Sequence, residues 1–145
     1  MNRSIKIVCL GFVLFTAFHL SASAIVRADK TSEPFNWTPV IDAIISVESE
    51  GNPNAVSGNS CGAMQITPIL VKECNIILAR RKSKKRYTLK DRFSVEKSKE
   101  MFLLFQSYHN PENNVEKAIR SWNGGMRYSV KRTQRYYNKV MRRMK

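Results

Sequence analysis

The stretch that decides the fold reads TPVIDAIISVESEGNP and covers residues 38–53. Thr38 can cap a helix, and Pro39 occupies the first helical position, where no backbone N–H is needed. Because Gly51 ends this helix, Glu48 lies in its last turn. The apolar residues recur at the spacing of one buried helix face: Val40, Ile41, Ile44, Ile45 and Val47.

The position of Glu48 favours its protonated form. Burial beside Ile44, Ile45 and Val47 would disfavour the charged carboxylate. The negative end of the helix dipole acts in the same direction in the last turn. A carboxylic acid that stays protonated near neutral pH can donate a proton to a glycosidic oxygen. The alternative on these grounds is an exposed acid at a helix end.

The rest of the chain predicts four further helices, a loop over residues 52–62, and no strand. The helices run from about Thr67 to Leu78, from Ser94 to Asn110, from Asn113 or Asn114 to Gly124, and from about Ser129 to Met144. The residues predicted to face inward are Met101, Leu104, Phe105 and Tyr108 in the third helix, and Val130, Thr133, Tyr137 and Val140 in the fifth. The predicted fold class is therefore mainly α.

The first 24 residues have the three parts of a secretory signal peptide. A basic start (Arg3 and Lys6) precedes an apolar run over residues 7–18, and Ala-Ser-Ala at 22–24 provides a cleavage site. The run is shorter than the roughly 20 residues that a spanning helix needs, so a retained membrane anchor fits less well.

We therefore predict three segments: a signal peptide at 1–24, a flexible lead-in at 25–36 and one domain at 37–145. The exported chain is long enough for one modest hydrophobic core, and we expect a monomer. Its expected location is the periplasm or the cell envelope.

Export determines which cysteines and histidines remain in the mature protein. Removal of Cys9 leaves Cys61 and Cys74, and an oxidising compartment favours a disulfide between them; two buried free thiols are the alternative. His19 also leaves with the signal segment, and His109 fits a surface or capping residue better than a metal ligand. We expect no metal site and no cofactor.

The formal net charge of the whole chain is +14, and the basic residues are clustered. Residues 80–92 contain eight basic residues and one acid, and no acid follows Glu116. Such a field attracts polyanions. We expect Arg80–Lys90 to form a surface loop or lid beside the binding groove that grips anionic envelope polymers. Solvated helix faces are the alternative, and a specific nucleic-acid partner does not fit an exported protein.

Three blocks of sequence resemble the catalytic signature of soluble lytic transglycosylases, which have a lysozyme-like fold. Residues 48–57 (ESEGNPNAVS) correspond to the family's Glu-Ser followed by Asn-Pro-x-Ala-x-Ser. Residues 62–68 (GAMQITP) correspond to Gly-Leu-Met-Gln-Ile and a proline, and residues 121–125 (SWNGG) to Ala-Tyr-Asn-Ala-Gly. The likeness covers about residues 37–126. It implies a lysozyme-like helical domain that acts on peptidoglycan glycan strands.

The resemblance also implies roles for particular residues. Glu48 would be the single catalytic acid/base. Ser49 would help to fix the helix that carries it and would belong to the substrate-binding residues. Met64 and Gln65 would line the sugar groove, with Gln65 bonding an acetamido group or the surroundings of Glu48. Asn123 would position the substrate.

Trp122 departs from the family pattern, which has tyrosine at this position. Any role of the tyrosine hydroxyl is therefore in question. The indole could stack on a sugar ring and donate one N–H bond, or it could pack in the core.

The reaction that the resemblance implies is cleavage of the β-1,4 bond between N-acetylmuramic acid and N-acetylglucosamine, with formation of a 1,6-anhydro sugar. One alternative is a lysozyme-type muramidase, which needs a second acid or a held water. Glu50 would point about 200° from Glu48 on a helix, and Asp42 faces elsewhere, whereas Glu73 or Asp91 could arrive through the fold. Another alternative is a non-catalytic wall-binding protein of the same fold.

Overall fold

The computed structural model describes residues 34–144; the predicted signal segment and positions 25–33 of the lead-in lie outside this part. Its elements are α1 (Thr38–Ser49), β1 (Val56–Ser57), β2 (Ser60–Cys61), α2 (Pro68–Arg80), a 3₁₀ turn (Leu89–Phe93), α3 (Val95–His109), α4 (Val115–Gly124) and α5 (Val130–Arg143). This composition confirms the prediction of a mainly helical domain. No helix in the described range has the length and apolar character needed to cross a membrane.

Helix starts follow the local capping rules, with one exception. In four helices a side-chain oxygen accepts a hydrogen bond from the backbone N–H three positions on; these caps are Thr67, Ser94, Asn114 and Ser129. In α1 the predicted cap, Thr38, is instead the first helical residue. Its N–H is bound at 3.0 Å by the side-chain oxygen of Asn36, which performs the capping.

A two-stranded antiparallel hairpin occupies the segment that the sequence predicted as loop. Val56 pairs with Cys61, and Ser57 pairs with Ser60. Strands of two residues are too short to produce an alternating pattern, so periodicity could not indicate them. The chain after the hairpin turns back on itself, because Cys61 and Ile66 exchange two backbone hydrogen bonds of 3.1 and 2.9 Å.

The core sits between the helices, and its centre differs from the predicted one on α3. Phe102 is fully buried between the rings of Trp37 and Trp122, at centroid distances of 5.6 and 5.2 Å. The predicted inward residue Tyr108 is 37% exposed. Helix α3 packs on α2 on one side and contacts the rings of Trp37 and Trp122 on another. It therefore buries a wider face than the single apolar stripe that the spacing predicted. On α5, the prediction for Val130 is likewise wrong, since it is 56% exposed at the helix start.

The two cysteines are separate buried thiols, which contradicts the predicted disulfide. Cys74 lies within α2 and turns toward α3, where its thiol donates to the backbone oxygen of Met101 at 3.6 Å. Cys61 belongs to the hairpin, and its backbone is paired with Ile66. Burial raises the pKa of the Cys74 thiol to about 12, so this thiol stays protonated and unreactive at neutral pH.

Candidate functional site

A cavity of about 660 Å³ is lined by residues from α1, the hairpin and the helices α2 to α4. It brings together positions that are far apart in the sequence. The polar and aromatic side chains that matter for its chemistry are Glu48, Gln65, Glu73, His109, Trp122 and Asn123.

Glu48 is partly buried in the last turn of α1 and faces this cavity. Burial raises the pKa of its carboxyl group, and a hydrogen bond from Tyr136 partly offsets that effect. The hydroxyl of Tyr136 donates to Oε1 of Glu48 at 2.7 Å. Burial and the charge of Glu48 in turn raise the pKa of Tyr136, so its hydroxyl keeps its proton. Burial thus makes this side chain a weaker acid than an exposed glutamate, which is the direction that a proton donor requires.

Tyr136 is a site residue that the sequence reasoning missed. The prediction placed Tyr137 on the inward face of α5, and Tyr137 does pack against the core, where the buried Arg120 guanidinium lies 4.4 Å from its ring centre. Tyr136 lies three residues after the buried Thr133 and four before the buried Val140, whereas Tyr137 lies four after and three before, so both have helical spacing from these residues. A signal was therefore present, but it could not distinguish two neighbouring tyrosines.

Ser49 and Met64 do not line the cavity, although both were predicted at the substrate groove. The hydroxyl of Ser49 donates to the backbone oxygen of Ala63 at 2.8 Å, which joins the end of α1 to the segment after the hairpin. Met64 is fully buried in the core, whereas its neighbour Gln65 lines the cavity. Its backbone oxygen accepts a bond of 3.3 Å from the Trp122 indole.

Gln65 lines the cavity in an uncommon backbone conformation, with φ of 49°. Non-glycine residues adopt this region rarely and under strain, and such residues often lie at functional sites. The amide nitrogen of Gln65 donates to the backbone oxygens of Gly62 at 2.9 Å and Ala55 at 3.2 Å. These bonds hold the turn and occupy the amide nitrogen. The amide oxygen is therefore the side-chain atom that can accept a hydrogen bond from a substrate.

Trp122 lies between the cavity and the core. Its ring lines the cavity and also packs against Phe102 in the core. Its N–H is engaged by Met64, so the ring face and not the N–H is offered to a ligand. The next residue, Asn123, is exposed and also lines the cavity.

Of the four other carboxylates considered as partners of Glu48, the fold brings Glu73 into its cavity. Glu50 is exposed just beyond α1, Asp42 pairs with a lysine at 3.1 Å, and Asp91 caps the 3₁₀ turn. Glu73 lies 2.9 Å from His109, which lines the same cavity and is not the surface residue that was predicted. Within residues 34–144, no cluster of three or more His, Cys, Asp or Glu side chains could hold a metal ion.

The predicted basic lid lies elsewhere. Residues 80–90, all of which the structure describes, line no part of this cavity. Arg80 donates to the Tyr108 hydroxyl at 2.6 Å, and Asn75 bonds both the N–H and the carbonyl of Tyr87 at 2.8 Å. These contacts hold the segment against α2 and α3 as an exposed surface loop, which was one of the two expected forms, and it does not cover this cavity as a lid.

The helices, the hairpin and the acid at the end of α1 define a lysozyme-like domain. The chain belongs to the family of the transglycosylase SLT domain, whose pattern matches residues 27–144. No curated protein and no solved structure gives a significant match. The family confirms the resemblance seen in the three sequence blocks and indicates, in general terms, a lytic-transglycosylase type of action on peptidoglycan in the cell envelope.

Proposed function

We propose that this protein is an exported lytic transglycosylase that cleaves the β-1,4 bond between N-acetylmuramic acid and N-acetylglucosamine, with Glu48 as its single acid/base. The observation that carries the proposal is the environment of Glu48. This carboxyl group is partly buried, has a raised pKa, and faces a cavity large enough for sugar units. The three sequence blocks of the family meet around it.

The reaction needs one carboxyl group. Protonated Glu48 donates its proton to the glycosidic oxygen as the bond from C1 of the muramic sugar breaks, which releases the N-acetylglucosamine end as an alcohol. The resulting carboxylate then accepts the proton of the muramic C6 hydroxyl, and that oxygen bonds to C1. The product is a 1,6-anhydro ring, formed without water. The nucleophile belongs to the substrate and is already close to C1, which is a large proximity advantage.

The surrounding residues support the same steps. The Tyr136 hydroxyl stabilises the carboxylate that exists between the two proton transfers, because it donates directly to Oε1. The Trp122 ring offers an apolar face to a sugar, and Asn123 and the Gln65 oxygen offer polar contacts. We also propose that the enzyme acts as a monomer.

A muramidase is the second candidate, and the presence of Glu73 in the cavity favours it to a degree. Hydrolysis would use a second carboxylate to activate water. The products separate the two reactions. Mass spectrometry of a purified cell-wall digest should show 1,6-anhydro ends for the transglycosylase, and reducing ends alone would overturn the proposal in favour of hydrolysis.

The role of Glu48 is tested by Glu48→Gln, which keeps the size of the side chain and an oxygen for Tyr136. Wall clearing should fall by about 10²- to 10⁴-fold, the usual contribution of a general acid/base. Sedimentation with insoluble wall should be unchanged. Glu50→Gln is the matched control, because Glu50 lies two positions on and outside the cavity. Clearing by Glu48→Gln at the parent rate would contradict the assignment, and a parent that binds wall without cutting it would indicate a binding protein.

The basic segment Arg80–Lys90 is proposed to hold anionic envelope polymer outside the groove. Its charged side chains are exposed, contacts with α2 and α3 hold the segment in place, and none of its residues lines the cavity. The segment would thus keep the enzyme on the wall without touching the sugar that is cut.

A further inference from the structure

Glu73 and His109 form a polar pair inside the proposed substrate cavity. Oε1 of Glu73, on α2, lies 2.9 Å from Nε2 of His109, on α3, and both side chains are partly exposed. The ring of Phe105, one turn earlier on α3, lies 4.6 Å from the imidazole ring centre and also lines the cavity. An aromatic surface therefore adjoins a carboxylate and an imidazole.

The charge of the cavity lining differs from that of the whole chain. The chain carries 25 lysines and arginines, yet the lining residues include no lysine or arginine. Its carboxyl groups are those of Glu48 and Glu73. A lining of this kind does not suit an anionic polymer, and it does suit a neutral ligand rich in hydroxyl groups.

The pair has the donors and acceptors that such a ligand needs. The contact with His109 engages Oε1 of Glu73, so Oε2 can accept hydrogen bonds from sugar hydroxyls. Bonds to a charged carboxylate are stronger than bonds between neutral groups. The face of Phe105 can take the apolar side of a sugar ring.

The two carboxyl groups of the cavity are held by different parts of the fold. Glu48 bonds to Tyr136 of α5, whereas Glu73 bonds to His109 of α3, and they share no hydrogen-bond partner in the described structure. We infer that Glu73 and His109 form a second sugar-binding subsite, which holds an N-acetylhexosamine unit at a distance from the cleaved bond. This inference rests on the proposed function, and it makes Glu73 a binding residue and not a second catalytic group.

Oligosaccharide binding tests the subsite without turnover. The probe is the neutral pentamer of N-acetylglucosamine, titrated by calorimetry into protein that carries Glu48→Gln. Adding Glu73→Ala should weaken binding by about 10- to 100-fold, the loss expected for bonds to a charged group. Glu73→Gln should weaken binding less than Glu73→Ala does, because its amide oxygen still accepts bonds from hydroxyls although it carries no charge. Glu112→Ala, at an exposed carboxylate outside the cavity, should change nothing.

Kinetics on wall fragments separate binding from catalysis. In the otherwise native enzyme, Glu73→Ala should raise KM while kcat stays within about threefold and the ends remain anhydro sugars. A kcat about 10³-fold lower with KM unchanged would make Glu73 catalytic and overturn the subsite. Unchanged pentamer affinity in folded Glu73→Ala would overturn it as well. If the parent cleaves no wall, the proposed function fails, but the pentamer titration still decides the subsite.

Discussion

The hydroxyl of Tyr136 donates a 2.7 Å hydrogen bond to Oε1 of Glu48, across 88 positions of sequence. This bond stabilises the charged carboxylate, whereas burial disfavours it more strongly, so the pKa of Glu48 is raised overall. The tyrosine thus limits how far the pKa rises. The proposed acid/base must give a proton and take one back, and the two effects act in opposite directions on that exchange.

Tyr136→Phe should shift the pH profile of the enzyme. Loss of the hydrogen bond removes the effect that lowers the pKa of Glu48, so that pKa rises further. The proton-donating form then persists to higher pH, and the alkaline limb of kcat/KM should move upward. The measurement is kcat/KM on soluble wall fragments across pH, with Tyr137→Phe as the control on the same helix. A limb that stays in place would show that Tyr136 does not tune Glu48.

Glu48→Gln should stabilise the fold at neutral and alkaline pH. The pKa of Glu48 is raised above its ordinary value of 4.5 in the folded state. Below that ordinary value the group is protonated in both the folded and the unfolded chain, and the stability it contributes is fully present. As pH rises toward and through the folded pKa, the unfolded chain releases its proton more readily, and that stability is lost. Glutamine cannot ionise and avoids this loss.

Thermal unfolding at about pH 4 and about pH 8 measures this effect. The Tm of Glu48→Gln should exceed that of the parent at the higher pH, and the difference should shrink at the lower pH. Glu50→Gln, at the exposed neighbouring acid, should show no such pH-dependent gain. A Tm gain of equal size at both pH values would count against the burial of an ionisable group as its cause.

Gly62→Ala should destabilise the domain through the hairpin. Gly62 has φ of +78°, and a Cβ there would lie 1.8 Å from the backbone oxygen of Arg92. The strained backbone and the overlap together should reduce the free energy of unfolding by about 2–4 kcal/mol. The Tm should fall by about 10 °C or more.

Gly58→Ala is the matched control for that substitution. Gly58 also has a positive φ, +55°, but a Cβ there would meet nothing within 4 Å. The backbone strain remains without the overlap, so the loss should be only about 1–2 kcal/mol. Equal losses for the two variants would show that the contact with Arg92 does not constrain the hairpin.

Neutralising the basic segment should weaken wall binding and leave the chemistry intact. Four exposed residues are replaced by glutamine: Lys82, Lys84, Arg86 and Lys90. Retention on insoluble wall should fall, and its dependence on salt should become shallower, because fewer charges face the polymer. The kcat on soluble fragments should be unchanged, since the segment does not line the cavity.

The control for the basic segment is an equal loss of charge on α5, made with glutamine at Lys131, Arg132, Lys139 and Arg142. If both quadruple variants lose the same wall binding, the net charge of the protein is responsible and the segment has no special role. A larger loss for residues 82–90 supports the proposed contact.

The sequence predicted those parts of the fold that depend on neighbouring residues. Ser94 and Ser129 cap their helices as expected, because a cap bonds an N–H three positions away. The position of Glu48 at a buried helix end followed from apolar spacing in the same way. Local rules therefore located the helices and the candidate acid.

The parts that the sequence did not predict depend on packing between distant segments. His109 meets Glu73 across 36 positions only because α3 packs on α2. The two cysteines are not paired, and the thiol of Cys74 lies in this contact between α2 and α3, where it bonds the backbone oxygen of Met101. Met64 fits the family block but is buried, since a block of sequence does not say which side chain faces the groove. Such orientations are fixed only when all helices are in place.

The distance in sequence between Glu48 and Tyr136 has a consequence for when the protein can work. The acid is made early, and its hydroxyl partner belongs to α5, the last described helix. A chain that has emerged only as far as α4 holds the acid without the group that stabilises its carboxylate. Under the proposed function, Glu48 in a half-made chain lacks the bond that limits its pKa, so the tuned acid/base exists only once α5 has folded against α1.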